Sequence, residues 1–253
     1  MQPHVCGHPL PEGSLIDVGG GLFVCSPELC FFQMASQLRF AKLLELGFEL
    51  CGTYILPVQG VHGEGADEAK MQLYNRTPLT SKERLSAFLA HAEGVFGQRR
   101  FSKVLQFIVD RSASPRETTL FLLLALPYKY GGYGFPKPEL NAKVMPTKAA
   151  KEMSSKKFFR CDLFWPEHNV AVEYESDLIH LTPQKIASDS MKRNSLIAMG
   201  ITVITVTNKQ IVSTVEFERV AKQLAVSLGR RLRNGENRGF INARRELRSV
   251  LGV

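Results

Sequence analysis

RCDLFWPEHNVAVEYESDLIH, Arg160 to His180, reads as two strands joined by a turn. Phe158 to Trp165 is apolar and aromatic, Asn169 to Glu175 is apolar and β-branched, and Pro166-Glu167-His168-Asn169 between them is turn chemistry. Asp162 interrupts the first strand. Glu173 and Glu175 stand two residues apart near the end of the second, so they share one face. A hairpin of these strands brings Asp162 near Glu173. Crowded carboxylates repel, and burial raises the cost. The chain must protonate one, pair them with bases or bind a cation. Mg²⁺ takes oxygen ligands, commonly one or two carboxylates with water and a substrate phosphate; Mn²⁺ is the alternative ion. Asp162, Glu173 and Glu175 are therefore candidate metal ligands. The competing reading puts the same acids on a solvated sheet face, or pairs them with Lys156, Lys157 and Arg160.

Outward from this stretch the rhythm continues. Leu140 to Met145 predicts a strand before it. Pro183 to Met199 predicts a helix that stops at Gly200, Ile201 to Thr207 (ITVITVT) a β-branched strand, and Gln210 to Leu228 a further helix. Upstream, Ser114-Pro115-Arg116-Glu117 has the spacing of a capping box, and the apolar run to Leu126 extends that helix. The order helix, three strands, helix, strand, helix predicts an α/β domain over residues 112–228.

Residues 1–111 predict a mostly helical α+β region, compatible with a small winged-helix-like unit. Ser14 to Val24 reads as two short strands around Gly19-Gly20-Gly21. Ser26 caps a helix that runs to Leu46 and ends at Gly47. Phe48 to Leu56 alternates like a strand, and Gln59 to Pro78 reads as a loop. Helices follow from Thr80 or Ser81 to Val95 and over Ser102 to Val109. Gln98-Arg99-Arg100 and Lys103 form a basic cluster. Residues 229–253 form a tail with seven Arg against two Glu.

The 253 residues carry 32 Lys and Arg against 24 Asp and Glu, a formal charge of +8. That balance suits a partner rich in phosphate. The five cysteines have irregular gaps and no C-x₂-C spacing. Free thiols suggest a reducing compartment, and His4, Cys6 and His8 form a short cluster. No signal-peptide pattern or long apolar run is present, which points to a cytoplasmic protein that does not enter a membrane.

Residues 114–212 resemble the PD-(D/E)xK nuclease superfamily, in the branch related to very-short-patch mismatch-repair endonucleases. The carrying residues are Glu117 in SPRETTLFLLL, Asp162 in FRCDLFWPE, Glu173 and Glu175 in VAVEYESDLIH with His180 at its end, Asp189 and Arg193 in SDSMKRNSL, and Gly200 opening GITVITVT. The resemblance implies a restriction-endonuclease-like αβββαβ core and a metal-dependent DNA endonuclease. Asp162, Glu173 and Glu175 would bind Mg²⁺ or Mn²⁺. Glu117 would complete the acidic cluster, and His180 would support proton transfer. Where the superfamily usually has a lysine this chain has Glu175, so Lys185 or Lys192 on the following helix, or His180, would have to substitute. For His180 a structural hydrogen bond is the alternative. For Glu117 it is a capping role, and for Arg193 a helical pair with Asp189.

VCSPELCFFQMASQL, Val24 to Leu38, is similar to a segment of AbiE-type antitoxins, which implies promoter binding in a bacterial defence or mobile-element context. Phosphate contacts would come from Lys185, Lys192, Arg193, Arg230, Arg231, Arg233, Arg244 and Arg245. The alternative function is a catalytically inactive nuclease-fold regulator that binds DNA or acts like an antitoxin. A homodimer and an unidentified protein partner both remain open.

Overall fold

The computed structural model describes residues 9–56, 75–92, 97–154, 156–175, 182–232 and 238–253. The chain divides into two compact units, Met1–Pro115 and Arg116–Val253.

The first unit opens with a two-stranded antiparallel hairpin, β1 (Leu15–Gly19) and β2 (Leu22–Cys25). Gly19, Gly20 and Gly21 all take positive φ there, a conformation that costs glycine little. Among the described residues four helices follow: α1 (Pro27–Gln37), α2 (Phe40–Cys51), α3 (Lys82–Ala90) and α4 (Gln98–Leu105). Ser26 and Ser81 cap α1 and α3, each accepting from a backbone N–H three residues on. The unit's core is aromatic, with Phe31 edge-on to Phe101 at 4.9 Å.

Four expectations fail in this unit. The helix from Ser26 breaks at Leu38, whose extended backbone separates α1 from α2. Gly47 does not end a helix; it lies inside α2. A Cβ there would stand 2.4 Å from Ile108 Cδ1, so the glycine serves close packing. Phe48 to Cys51, expected as strand, is the last turn of α2, with Phe48, Leu50 and Cys51 buried. The helices expected up to Val95 and Val109 stop at Ala90 and Leu105.

The second unit is a mixed α/β fold. Helix α5 (Pro115–Ala125) is buried along its length from Glu117 onward. The sheet contains β3 (Glu139–Val144), β4 (Phe159–Trp165), β5 (Val170–Glu175) and β6 (Thr202–Thr207), in the order β3-β4-β5-β6. Strand β4 runs antiparallel to both β3 and β5, and β6 runs parallel to β5. Asn169 makes the β4–β5 turn with φ 50°. Helix α6 (Lys148–Met153) follows β3, and α7 (Pro183–Ala198) provides the crossover to β6.

Caps fix the ends of α7. Thr182 accepts from Lys185 N, with Pro183 at the first helical position. At the other end Gly200 N donates to Ile197 O and Ile201 N to Leu196 O, the paired bonds of a Schellman ending. Leu196 and Ile201 then pack with Phe164, Ala171 and Val203. Trp165, 1% exposed, donates from Nε1 to Pro136 O at 2.7 Å. Each such large buried side chain contributes about 1.5–3 kcal/mol.

The helix expected over Gln210 to Leu228 is two helices, α8 (Asn208–Val212) and α9 (Thr214–Ser227). Ser213 divides them by capping α9 through Glu216 N. The Arg-rich end contains α10 (Arg238–Val250), whose Phe240, Arg244, Leu247 and Arg248 are buried. Among the described residues no helix is long and apolar enough to cross a membrane.

Candidate functional site

Alternation places Ala171, Glu173 and Glu175 of β5 and Val203 and Thr205 of β6 on one face, and Asp162 of β4 borders the cavity over that face. Helix α7 lies over that face. The β4–β5 ladder stops at the pair Leu163–Val172, and beyond it Asp162 and Glu173 line the same cavity. Asp162 Oδ2 accepts from Tyr174 N at 2.8 Å. Lys192 reaches down from α7 and puts its ammonium 2.5 Å from Glu173 Oε2. Both ends of this pair are largely shielded, at 23% and 15% side-chain exposure.

These groups line a cavity of about 180 Å³, together with Glu175, Lys185, Arg193 and Thr205. Burial pushes the Glu173 carboxyl up to about 7, and the neighbouring Asp162 charge adds to the rise against the pull of Lys192. Burial also raises Asp162, although Lys192 and the Tyr174 N–H favour its charged form. Lys192 shifts the other way from what burial dictates. Desolvation disfavours its charge, but Glu173 and Asp162 outweigh it and raise its pKa. The site is thus two coupled carboxyls and one ammonium, a set that carries one net negative charge when both acids are ionised.

The arrangement has room for a cation. Glu173 Oε1 is buried and receives no nitrogen or oxygen donor among the described residues, with the Cys161 thiol as a neutral neighbour of the carboxyl. Asp162 faces it from the next strand. Two carboxylates completed by water and phosphate suit Mg²⁺. Glu175 borders the cavity without joining them: among the described residues no group of three or more His, Cys, Asp or Glu stands together as a ligand set. Residues two apart on a strand are separated by roughly 6.5–7 Å along it, so Glu173 and Glu175 share a face but not a point.

The remaining candidates are dispersed. Glu117 is buried and accepts from Asn141 Nδ2 on β3; it does not border the cavity. Asp189 pairs with Lys185 at 3.0 Å, where a pair with Arg193 was the alternative expected. Arg193 is exposed at the cavity edge, and Arg230, Arg231 and Arg245 are exposed. Arg244 is buried, with its guanidinium carbon 4.5 Å from the Tyr133 ring centre, which withdraws it from a nucleic-acid surface. In the first unit, Arg100 donates to Leu38 O, the end of α1. His180, Arg233 and the His4, Cys6 and His8 cluster lie outside the described residues.

The sequence reading missed Cys161. Its thiol lies beside Glu173, and burial followed by the Glu173 charge pushes its pKa up to about 12. A cysteine flanking the strand aspartate was the only available signal. The described cysteines, Cys25, Cys30, Cys51 and Cys161, are all free. No family model, no curated protein and no solved structure matches this chain.

Proposed function

We propose that the chain is a metal-dependent DNA endonuclease whose second unit has a PD-(D/E)xK-type αβββαβ core. The observation that carries this reading is the Asp162–Glu173–Lys192 arrangement. An acid from each of two adjacent strands meets a lysine supplied by the crossover helix, at the site where the usual motif lysine is replaced by Glu175. Asp162 and Glu173 would hold Mg²⁺ or Mn²⁺, with Glu175 bordering the site from the strand end. When bound, the ion lowers the pKa of its water and stabilises charge on a phosphodiester. Lys192 has the charge and position to orient a water or steady a phosphate oxygen. Arg193 offers a guanidinium at the cavity edge for the substrate backbone.

The shielded site makes the ion's charge effective, because buried electrostatic interactions are screened less than exposed ones. Plasmid DNA incubated with Mg²⁺, Mn²⁺ or EDTA tests the proposal. Cleavage that requires the metal and vanishes in Asp162→Ala supports it. Metal-independent cleavage, or full activity in that variant, removes it.

One observation favours a second reading, a non-catalytic DNA-binding regulator of antitoxin-like role. Lys192 already neutralises Glu173, which lessens the need for an ion. This reading expects salt-sensitive DNA binding in EDTA and no cleavage with any divalent ion.

A further inference from the structure

A second, larger cavity, of about 780 Å³, opens between α9 and α10. Arg244 and Arg248 line it from α10, four residues apart and therefore on one helix face. Both are deeply buried, at 8% and 6% exposure. Arg248 uses one nitrogen, Nη2, to hold the carbonyls of Ile211 and Val212 at the end of α8, 2.6 Å from each. Its Nη1 is buried without a hydrogen-bond partner, as are Nε and Nη2 of Arg244, among the described residues. The buried Tyr133 hydroxyl stands beside Arg244 as a neutral neighbour that leaves the guanidinium charge uncompensated.

Buried guanidinium N–H groups without acceptors are costly, and arginine is always charged. Two of them on one wall repel each other. No side-chain carboxylate is ion-paired with either among the described residues; the one acid bordering the cavity, Glu218, pairs with Lys222 at 2.9 Å. The burial of Arg248 and the nearby Arg244 charge both lower its pKa, which marks a site short of negative charge.

We propose that this cavity binds a small molecule through a phosphate group held by Arg244 and Arg248. The planar guanidinium fork matches phosphate oxygens in two-point contact. Lys222, Arg244, Arg245 and Arg248 line the cavity with Glu218 as its one acidic side chain, an excess that suits a phosphate dianion. Phe240 and Tyr133 supply an aromatic wall for the rest of the ligand, and the volume is that of a small-molecule pocket. The guanidiniums lie too deep for an internal phosphate of a duplex, so a terminal or free phosphate is the fitting source.

The test uses the full chain at constant ionic strength, with thermal unfolding followed against inorganic phosphate, a nucleoside monophosphate, acetate and a blunt duplex without terminal phosphates. Saturable stabilisation by phosphate and by the monophosphate is expected, with affinity at least about tenfold weaker in Arg244→Gln. A tighter monophosphate would assign the aromatic wall to the ligand's body, and equal affinities would assign free phosphate; both support the proposal. Absence of saturation with both probes, equal stabilisation by acetate, competition by the duplex, or unchanged affinity in Arg244→Gln would overturn it. If that variant does not fold, phenylglyoxal labelling of the wild type decides. Phosphate should protect Arg244 and Arg248, and equal labelling with and without phosphate would reject the site.

Discussion

Lys192 on α7 and Glu173 on β5, nineteen residues apart in sequence, meet as an ion pair over one end of the sheet. The pair joins the crossover helix to the strand it follows and compensates one of two facing carboxylates. Removing the lysine leaves Glu173 and Asp162 with only the weaker influence of Lys185 and Arg160. In Lys192→Met, stability at pH 8 should fall by about 1–3 kcal/mol, less than for a fully buried pair because Lys192 keeps some solvent contact. DNA cleavage should fall by about 10²-fold or more, and Lys192→Arg should recover stability better than activity. Urea unfolding beside a cleavage assay checks both. An equally stable, equally active Lys192→Met protein would contradict this role.

Glu173 makes a pH prediction. Its folded pKa, about 7, lies above its ordinary value of 4.5. The folded protein therefore binds its proton more tightly than the unfolded chain does. Its contribution to stability is fully present below about pH 4.5 and is lost as pH rises through about 7. Relative to Glu173→Gln, the wild type should lose stability between those limits by an amount on the order of a few kcal/mol. Melting temperatures of both proteins across pH 5 to 8, without divalent metal, should diverge. Parallel curves would show that Glu173 titrates normally.

Gly131 positions α10. It has φ +89°, and an added Cβ would stand 2.6 Å from Ala243 O and 2.7 Å from Arg244 Cα. Those atoms are backbone, so the helix must move. Gly131→Ala should cost about 2–4 kcal/mol, combining left-handed strain with the clash. Amide exchange over residues 238–250 should accelerate. A variant with unchanged melting temperature and exchange would contradict that packing role.

Helix α7 and strands β4 to β6 were legible in sequence because local signals agreed there. The Pro183 start, the Gly200 stop, the β-branched run and the Pro166–Asn169 turn all pointed to the elements found. Gly47 misled because a glycine that admits Ile108 looks, in one dimension, like a glycine that ends a helix. The nearness of Asp162 to Glu173 followed from the hairpin, whereas the choice of Lys192 over Lys185 required the placement of α7, which pairs Lys185 with Asp189 instead. The α10 segment was read only as charge. Phe240, Arg244, Leu247 and Leu251 in fact recur at helical spacing, but arginines standing in that stripe concealed a buried face.

The exposed arginines at 230 and 231 should add phosphate contacts if the second unit grips DNA. Binding in EDTA should weaken linearly in log K against log salt. Arg230→Ala with Arg231→Ala should reduce that slope by about 1.8 if each contacts one phosphate. Fluorescence anisotropy on a labelled duplex at several salt concentrations measures it, and an unchanged slope would place the DNA path elsewhere.

Calorimetric titration of Mn²⁺ into the full chain, beside the Asp162→Asn, Glu173→Gln double variant, tests the central claim most directly. Neutral amides keep the shape of both side chains while removing the charge that would hold the ion. The account predicts saturable binding by the wild type that strengthens as pH rises through about 7, as Glu173 gives up its proton, and no binding by the double variant. No saturable binding by the wild type, or equal binding by the double variant, would contradict it.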